Sequence, residues 1–268
     1  MRQFAYATIP GNRARSMRLT RVYVETALTP GSAVQLPPET ASHLAKVLRA
    51  RSGDSLILFN GDGREFDGEI ESVRGSRVSA LVGGGREVDR ESPLNITLLQ
   101  CVPRGDRMDF IVQKATELGV ARIVPALSQR SVVRLDKGQA ESKADHWRAV
   151  SVSACEQCGR NRLPAIQAAQ PLLDYLGNLK ADSGPRWVFE PESAPIAGAG
   201  AQAFDVAPGT ASVDAQIAIG PEGGFSPDEL EAFQIAGFSK VGLGPRVLRT
   251  ETAAIAAIVW LQARRGDM

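Results

Sequence analysis

The stretch from Ile219 to Ala256, IGPEGGFSPDELEAFQIAGFSKVGLGPRVLRTETAAIA, limits the possible folds more than any other part of the chain. Two short apolar strands each empty into a loop unlike ordinary turn sequence. The first loop, Gly220-Pro221-Glu222-Gly223-Gly224-Phe225, runs into Ser226-Pro227-Asp228-Glu229. That tetrad is a capping box with proline at the first helical position, so a helix starts there. Gly237 closes the helix, Lys240–Gly244 reads as a strand, and Pro245-Arg246-Val247-Leu248-Arg249 leads to Thr250, whose hydroxyl can cap a final Ala-rich helix. Two strand-loop-helix units in tandem predict an α/β fold, and loops at the carboxyl ends of such strands are where open α/β sheets place ligands.

Glycine density in the two loops narrows the ligand. Gly220, Gly223, Gly224, Gly242 and Gly244 remove side chains, either so that backbone amides and carbonyls can approach a ligand or so that the chain can take φ > 0. Phosphate cradles fit poorly. The first loop lacks the Lys-Ser/Thr ending of a P-loop, and Gly242-Leu243-Gly244 lacks the third glycine of the dinucleotide fingerprint.

Composition sets the remaining bounds. With 268 residues, 43% of them hydrophobic, the chain can hold one large domain or two modest ones. No apolar run approaches the roughly 20 residues of a membrane span, and residues 1–16 lack the apolar core of a signal peptide. A cytoplasmic location without membrane contact is therefore expected, with residues 1–16 a disordered extension. The net charge is +1, and residues 18–90 hold as many Lys and Arg as Asp and Glu, so any contact with nucleic acid must use local basic patches. The three cysteines rule out a disulfide framework. Cys155-Glu156-Gln157-Cys158 has zinc-like spacing, but only Cys101, His43 and His146 remain as distant further ligands, so no metal site is expected.

Along the chain, residues 17–90 alternate short strands with turns: Arg21–Glu25, Ser55–Asn60, Glu65–Val73 and Arg77–Val82, with a helix at about Glu39–Ala50. This predicts a small β-barrel, with a hairpin at Asn60-Gly61-Asp62-Gly63 and its last strand ended by Gly83-Gly84-Gly85. In the helix, Leu44, Val47 and Leu48 share an apolar face, which leaves His43, Lys46, Arg49 and Arg51 as an exposed basic edge or simply a solvated one. Residues 91–268 alternate strands and helices, the pattern of a mostly parallel sheet. Strands are expected at Asn95–Val102, Arg122–Ala126 and Trp187–Glu190. One helix is capped by Asp106 and ended by Gly119, and a long one runs from Gln139 to Cys158. Arg104 and Arg107 sit at a strand's carboxyl end, where RNA contacts are plausible chemistry. Arg160 either favours the negative end of the long helix or has a functional role. Pro191–Asp214 reads as a mobile loop.

The segments GPEGGFSPDE and LGPRVLRTETA resemble the bacterial 16S ribosomal RNA uridine-N3 methyltransferases of the SPOUT superfamily. Further matching blocks lie at His43–Phe59, Arg107–Val120 and Ala154–Asn161, from Met17 to the C-terminal region. The resemblance implies a PUA-like β-barrel RNA-binding domain over 17–90 and a SPOUT α/β methyltransferase domain with a C-terminal trefoil knot over 91–268. It also implies S-adenosyl-L-methionine as cofactor, 16S ribosomal RNA or the small ribosomal subunit as partner, and a homodimer. The cofactor would be held by Glu190, Ile219, Gly220, Pro221, Glu222, Gly223, Gly224, Leu243, Gly244, Val247, Leu248 and Thr250. On the residue pattern and the resemblance together, the candidate RNA contacts are Arg21, His43, Lys46, Arg49, Arg51, Arg104, Arg130, Glu156, Arg160, Asn161 and Arg246.

A uridine N3 is a weakly acidic imide that must lose its proton as it is methylated, which calls for a base or for a cation that stabilises the anion. Arg249 is the preferred catalytic residue, because a guanidinium beside a uracil oxygen stabilises developing negative charge. Glu222, Glu251 and Glu156 are candidate bases, although Glu251 also suits the positive end of the last helix and Glu222 can simply shape its turn. The alternatives are a ribose 2′-O-methyltransferase, a noncatalytic ribosome-assembly factor, and a nicotinamide-dependent oxidoreductase, the last disfavoured by the incomplete glycine fingerprint.

Overall fold

A computed structural model describes residues 19–179, 184–191, 193 and 213–268 of the chain. The N-terminal strands β1 (Arg21–Tyr23), β2 (Ala33–Gln35), β3 (Ser55–Phe59), β4 (Arg64–Arg74) and β5 (Arg77–Glu87) form one five-stranded sheet in the order β1-β3-β4-β5-β2. β1 runs parallel to β3 and the other pairs are antiparallel. The Asn60–Gly63 turn joins β3 to β4 as a hairpin, as its sequence predicts. The alternation predicts a small β-barrel; among the described residues the pairing path ends at β1 and β2, so no strand pairing closes it. Nor do Gly83, Gly84 and Gly85 end β5, which runs through them to Glu87. There the glycines serve close approach: a Cβ on Gly85 would lie 2.5 Å from the Phe66 ring, beside a register shift in β4.

Helix α1 (Pro38–Lys46) is shorter than the sequence suggests. Ala41 and Leu44 are buried, whereas Val47 and Leu48 lie past the helix end and are exposed, so they do not extend its apolar face. Arg49 follows with φ 52°, a left-handed conformation that ends the helical path.

The second sheet contains β6 (Leu94–Cys101), β7 (Arg122–Leu127), β8 (Ala165–Ile166), β9 (Gln170–Pro171), β10 (Arg186–Phe189), β11 (Val213–Ile219) and β12 (Ser239–Val241). Its order is β12-β10-β11-β6-β7-β8, with β9 also on β7, and every pairing is parallel. All the carboxyl ends therefore lie along one edge. Helices cover both faces, as a parallel sheet requires. On one face, α2 (Arg107–Glu117) and α6 (Thr250–Arg265) pack Met108, Ile111, Ala254, Ile258 and Leu261 onto Leu94, Ile96 and Leu98 of β6. On the other, α4 (Leu172–Gly177) and α5 (Pro227–Ile235) bring Leu172 and Phe233 against Leu99 and Cys101. The switch from even to odd residues along β6 is the two-residue period of a strand buried on both sides.

The long helix α3 (Lys137–Cys158) starts on a complete capping box between Asp136 and Gln139, and ends where Gly159 takes φ 97°. Asp106 occupies the N-cap position of α2 without a side-chain bond to the helix, so it marks the start but does not cap it. Most of Pro191–Asp214 and all of residues 1–16 lie outside the described residues. No helix among the described residues is long and apolar enough to cross a membrane.

Candidate active site

Three connections meet at the carboxyl edge of the parallel sheet: Gly220–Phe225 after β11, Leu243–Arg249 after β12, and the start of the segment after β10. They enclose a cavity of about 380 Å³, lined by Phe189, Glu190, Ile219, Gly220, Pro221, Glu222, Gly224, Leu243, Arg246, Val247, Leu248, Arg249, Thr250 and Glu251, with Arg107, Pro191, Phe225 and Ala253. Its topology explains its shape. Because β12 lies on the far side of β10 from β11, the chain must return across the carboxyl ends of β10 and β11 before α6 can pack on β6 and α2. That return is the wall Leu243–Arg249.

The first loop is fixed at its exit by local chemistry. Ser226 accepts from the Glu229 amide at 3.2 Å, and Glu229 accepts from the Ser226 amide at 2.8 Å, closing the capping box read from the sequence. The Glu229 carboxylate is buried and also accepts from the Gln129 amide at 2.7 Å, which joins the end of β7 to this loop. The glycines divide between two purposes. Gly224 and Gly244 adopt φ 67° and 100°, where only glycine is unstrained. Gly220 and Gly223 have no such need but pack closely: a Cβ on Gly220 would lie 3.2 Å from Phe225, and one on Gly223 3.3 Å from Arg130.

Thr250 does not cap α6, since Arg249 holds the N-cap position with no side-chain bond and Thr250 is already helical. Its hydroxyl instead donates to the Gly220 carbonyl at 2.8 Å and accepts from the Gln100 amide at 2.9 Å. Arg249 itself is exposed at the cavity, and its side chain makes no hydrogen bond or ion pair among the described residues. Arg246 is likewise exposed on the same wall. Glu222 accepts from the Arg104 backbone amide at 3.2 Å and from the Arg107 guanidinium. Burial pushes its carboxyl up, but backbone donors and the charges of Arg107 and Arg104 outweigh that and hold it below the usual carboxylate range. An anchored, fully ionised carboxylate is a poor proton acceptor, so the structure counts against Glu222 as a base. Glu251 also faces the cavity, and its Oε2 is buried without a hydrogen-bond partner among the described residues.

Most of the cofactor residues expected from the sequence converge on this cavity; Gly223 and Gly244 support its loops without lining it. The RNA candidates separate into three groups. Arg104, Arg130 and Arg246 are exposed around the cavity loops, with Arg130 donating to the Gly223 carbonyl at 3.2 Å. His43 and Glu156 line a second cleft, of about 550 Å³, between α1 and α3, and Lys46 at the end of α1 and Arg49 and Arg51 after it are exposed. Glu156 is thereby removed from the cavity. Its carboxyl accepts from the Tyr23 amide at 3.0 Å, and burial pushes its pKa up.

The third group is a correction. Arg21, Arg160 and Asn161 are buried, and their polar atoms serve the joint between the two sheets. Arg21 donates to Glu65 at 2.7 Å and to the Asn161 side chain at 2.5 Å. Arg160 donates to Glu91 at 2.5 Å and to the Thr116 and Val120 carbonyls at 2.8 and 3.0 Å. Asn161 donates to the Val88 carbonyl at 3.0 Å. Arg160 and Asn161 are enclosed by protein, and Arg21, although it borders the second cleft, has its guanidinium committed to Glu65 and Asn161, so these side chains do not offer themselves to RNA. Sequence reasoning missed Glu65 and Gln100. Each falls inside an expected strand, Glu65–Val73 and Asn95–Val102, with nothing in its neighbours to single it out.

A family model described as an RNA methyltransferase domain matches residues 90–262, and one described as an RNA methyltransferase PUA domain matches residues 36–82. Ribosomal RNA small subunit methyltransferase E of Buchnera aphidicola is 32% identical over 252 residues, covering 94% of this chain and 98% of the relative. The Bacillus subtilis protein of the same name is 32% identical over 244 residues, covering 90% and 93%. Among solved structures, a Legionella pneumophila methyltransferase in complex with its cofactor SAM has a TM-score of 0.85 at 39% identity, covering 94% of this chain and 100% of that one. The Neisseria gonorrhoeae ribosomal RNA small subunit methyltransferase E bound to S-adenosyl methionine has a TM-score of 0.81 at 34% identity, with the same coverage. Fold, cavity and domain matches together define the class as an RNA methyltransferase domain preceded by a PUA domain. Within that class, the chain belongs to the ribosomal RNA small subunit methyltransferase E family.

Proposed function

We propose that this protein transfers a methyl group from S-adenosyl-L-methionine to N3 of a uridine in 16S ribosomal RNA. The observation that carries the reading is the cavity at the carboxyl edge, walled by two glycine-bearing connections and bordered by the exposed Arg249. Its volume, about 380 Å³, falls in the range of about 300–1,000 Å³ typical of small-molecule pockets. Its chemistry suits an adenosyl group: Phe189, Ile219, Leu243 and Leu248 supply apolar surface, and Gly220 and Gly224 leave backbone exposed. Main-chain groups near Leu243, Gly244, Val247 and Leu248 would hold the adenine, and Gly220–Gly224 with Glu190 the remainder.

When bound, the cofactor supplies an electrophilic methyl on a sulfonium. The chain's own work is to orient the acceptor and manage one proton, and orientation alone removes much of the barrier of a two-reactant step. Arg249 stabilises the uracil anion through its guanidinium. Glu251 is the carboxylate assigned to accept the N3 proton, because Glu222 is already committed to Arg107 and Arg104. Glu222 thereby shapes its own loop. Arg104, Arg130 and Arg246 border the opening and would hold phosphates, while His43, Lys46, Arg49 and Arg51 extend a basic edge along the PUA domain. The same reading includes a knotted C-terminal region, a homodimer, the small ribosomal subunit as partner and a cytoplasmic location. Labelled methyl transfer to 16S ribosomal RNA, followed by nucleoside identification, tests it: N3-methyluridine is expected. A 2′-O-methylated nucleoside, or no transfer, overturns it.

A further inference from the structure

Gln100 lies on the even-numbered face of β6 with Leu94, Ile96 and Leu98, the face that packs against α6. A fully apolar side chain would continue that pattern, yet the position carries an amide that is 0% exposed. Burying an amide is costly unless its bonds are made. Its Nε2 makes both of its bonds, donating to the Cys101 carbonyl at 2.9 Å and to the Thr250 hydroxyl at 2.9 Å, while its Oε1 is buried with no hydrogen-bond partner among the described residues; the Thr250 hydroxyl donates on to the Gly220 carbonyl at 2.8 Å. The direction of the relay is fixed by its ends. The Cys101 and Gly220 carbonyls can only accept, so the single hydroxyl proton goes to Gly220 and Thr250 must accept from the amide.

The relay connects three segments that converge on the cavity: the end of β6, the first residue after β11, and the first turn of α6, immediately after Arg249. We propose that Gln100 and Thr250 form one positioning unit, which sets the Gly220 loop at a fixed distance from the Arg249 end of α6 and so aligns the cofactor wall with the residue that acts on the base. Gln100 acts through Thr250 and touches neither reactant. The inference rests on the proposed function, since it assigns the unit to the cofactor cavity.

The test uses the full-length chain, with S-adenosylmethionine binding by calorimetry and with kcat and KM for methyl transfer to 16S ribosomal RNA. Thr250→Val keeps the side-chain shape and deletes the hydroxyl; Gln100→Met keeps the length and deletes the amide. Each is expected to weaken cofactor binding about tenfold and to lower kcat, roughly what loss of one or two buried hydrogen bonds gives, with KM for RNA unchanged. Thr250→Ser is expected to recover what Thr250→Val loses. The double variant should be no worse than the poorer single variant, because either change breaks the same relay. Gln100→Met is the safeguard should Thr250→Val fail to fold. Wild-type cofactor affinity and kcat in a folded single variant, or additive losses in the double variant, overturn the proposal. Failure of the unaltered protein to bind the cofactor or methylate RNA overturns the proposed function instead.

Discussion

At the scale of single residues, the site sorts its charged groups by what they are already bonded to. The Arg249 side chain has no hydrogen-bond or ion-pair partner among the described residues, so its charge is available to a ligand, whereas Arg107 and Glu222 hold each other. Arg249→Ala should therefore lower kcat about 10²- to 10³-fold, the usual cost of removing one oxyanion donor, while calorimetry finds cofactor affinity little changed. Arg249→Lys should recover only part of the rate, since an ammonium lacks the planar fork. Equal transfer rates in Arg249→Ala and the unaltered protein would strip the arginine of its role. Glu222 gives the opposite expectation. Its carboxyl is held below the usual range, so it stays ionised throughout neutral pH and the contact with Arg107 is lost only as pH falls through that lowered value. A pH–rate profile should show no Glu222 limb above about pH 5, and Glu222→Gln should leave the profile's upper limb in place. The residue pattern showed which positions face the cavity because glycine, proline and charge cluster within one short stretch. It did not show which charges are spent, since Arg107 and Glu222 are 115 residues apart.

At the scale of elements, the parts legible in advance are those set by neighbours in sequence. The start of α5 was legible because Ser226, Pro227 and Glu229 specify it within four residues, and both reciprocal bonds form. Ser226→Ala should cost about 1 kcal/mol in a urea melt, the usual cost of an N-cap. It should also slow methyl transfer, because Glu229 would lose the hydroxyl that fixes its turn. The start of α6 was misread for the same physical reason. A threonine ahead of an alanine run looks like a cap, but a hydroxyl bonds whatever lies closest, and here that is the Gly220 carbonyl. Gly244 offers a cleaner measurement. A Cβ there would meet nothing within 4 Å, so Gly244→Ala incurs only the cost of φ 100°, about 1–2 kcal/mol. A melt showing no loss would mean that the loop relaxes to negative φ. β8 and β9 went unseen because each is two residues long, too short for any period to register.

At the scale of the whole molecule, the two sheets are joined by charge more than by grease. Glu65, with a side chain only 4% exposed, receives Arg21 at 2.7 Å, Arg86 at 2.9 Å and Arg90 at 3.2 Å. Arg90 also donates to the Gly159 carbonyl at 2.8 Å, and Arg21 reaches Asn161, so one carboxylate anchors β1, β4 and the linker to the end of α3. None of this shows in a sequence where the same residues read as balanced surface charge; the joint exists only once the chain brings together positions up to 140 residues apart. Burial pushes the Glu65 carboxyl up, but the hydrogen bonds and charges of Arg21 and Arg90 outweigh it, leaving the folded value below the ordinary one. A lowered carboxylate stabilises the fold fully above its unfolded value, about 4.3, and that contribution disappears as pH falls through the folded value. Glu65→Gln removes the charge while Arg21 stays buried, which should cost about 3 kcal/mol at pH 7. Urea melts from pH 7 to pH 3 should then find the two proteins converging as acid removes from the parent what the substitution has already taken. If the gap instead holds constant down to pH 3, the glutamate's contribution is packing rather than charge, and the joint does not depend on ion pairing at this position.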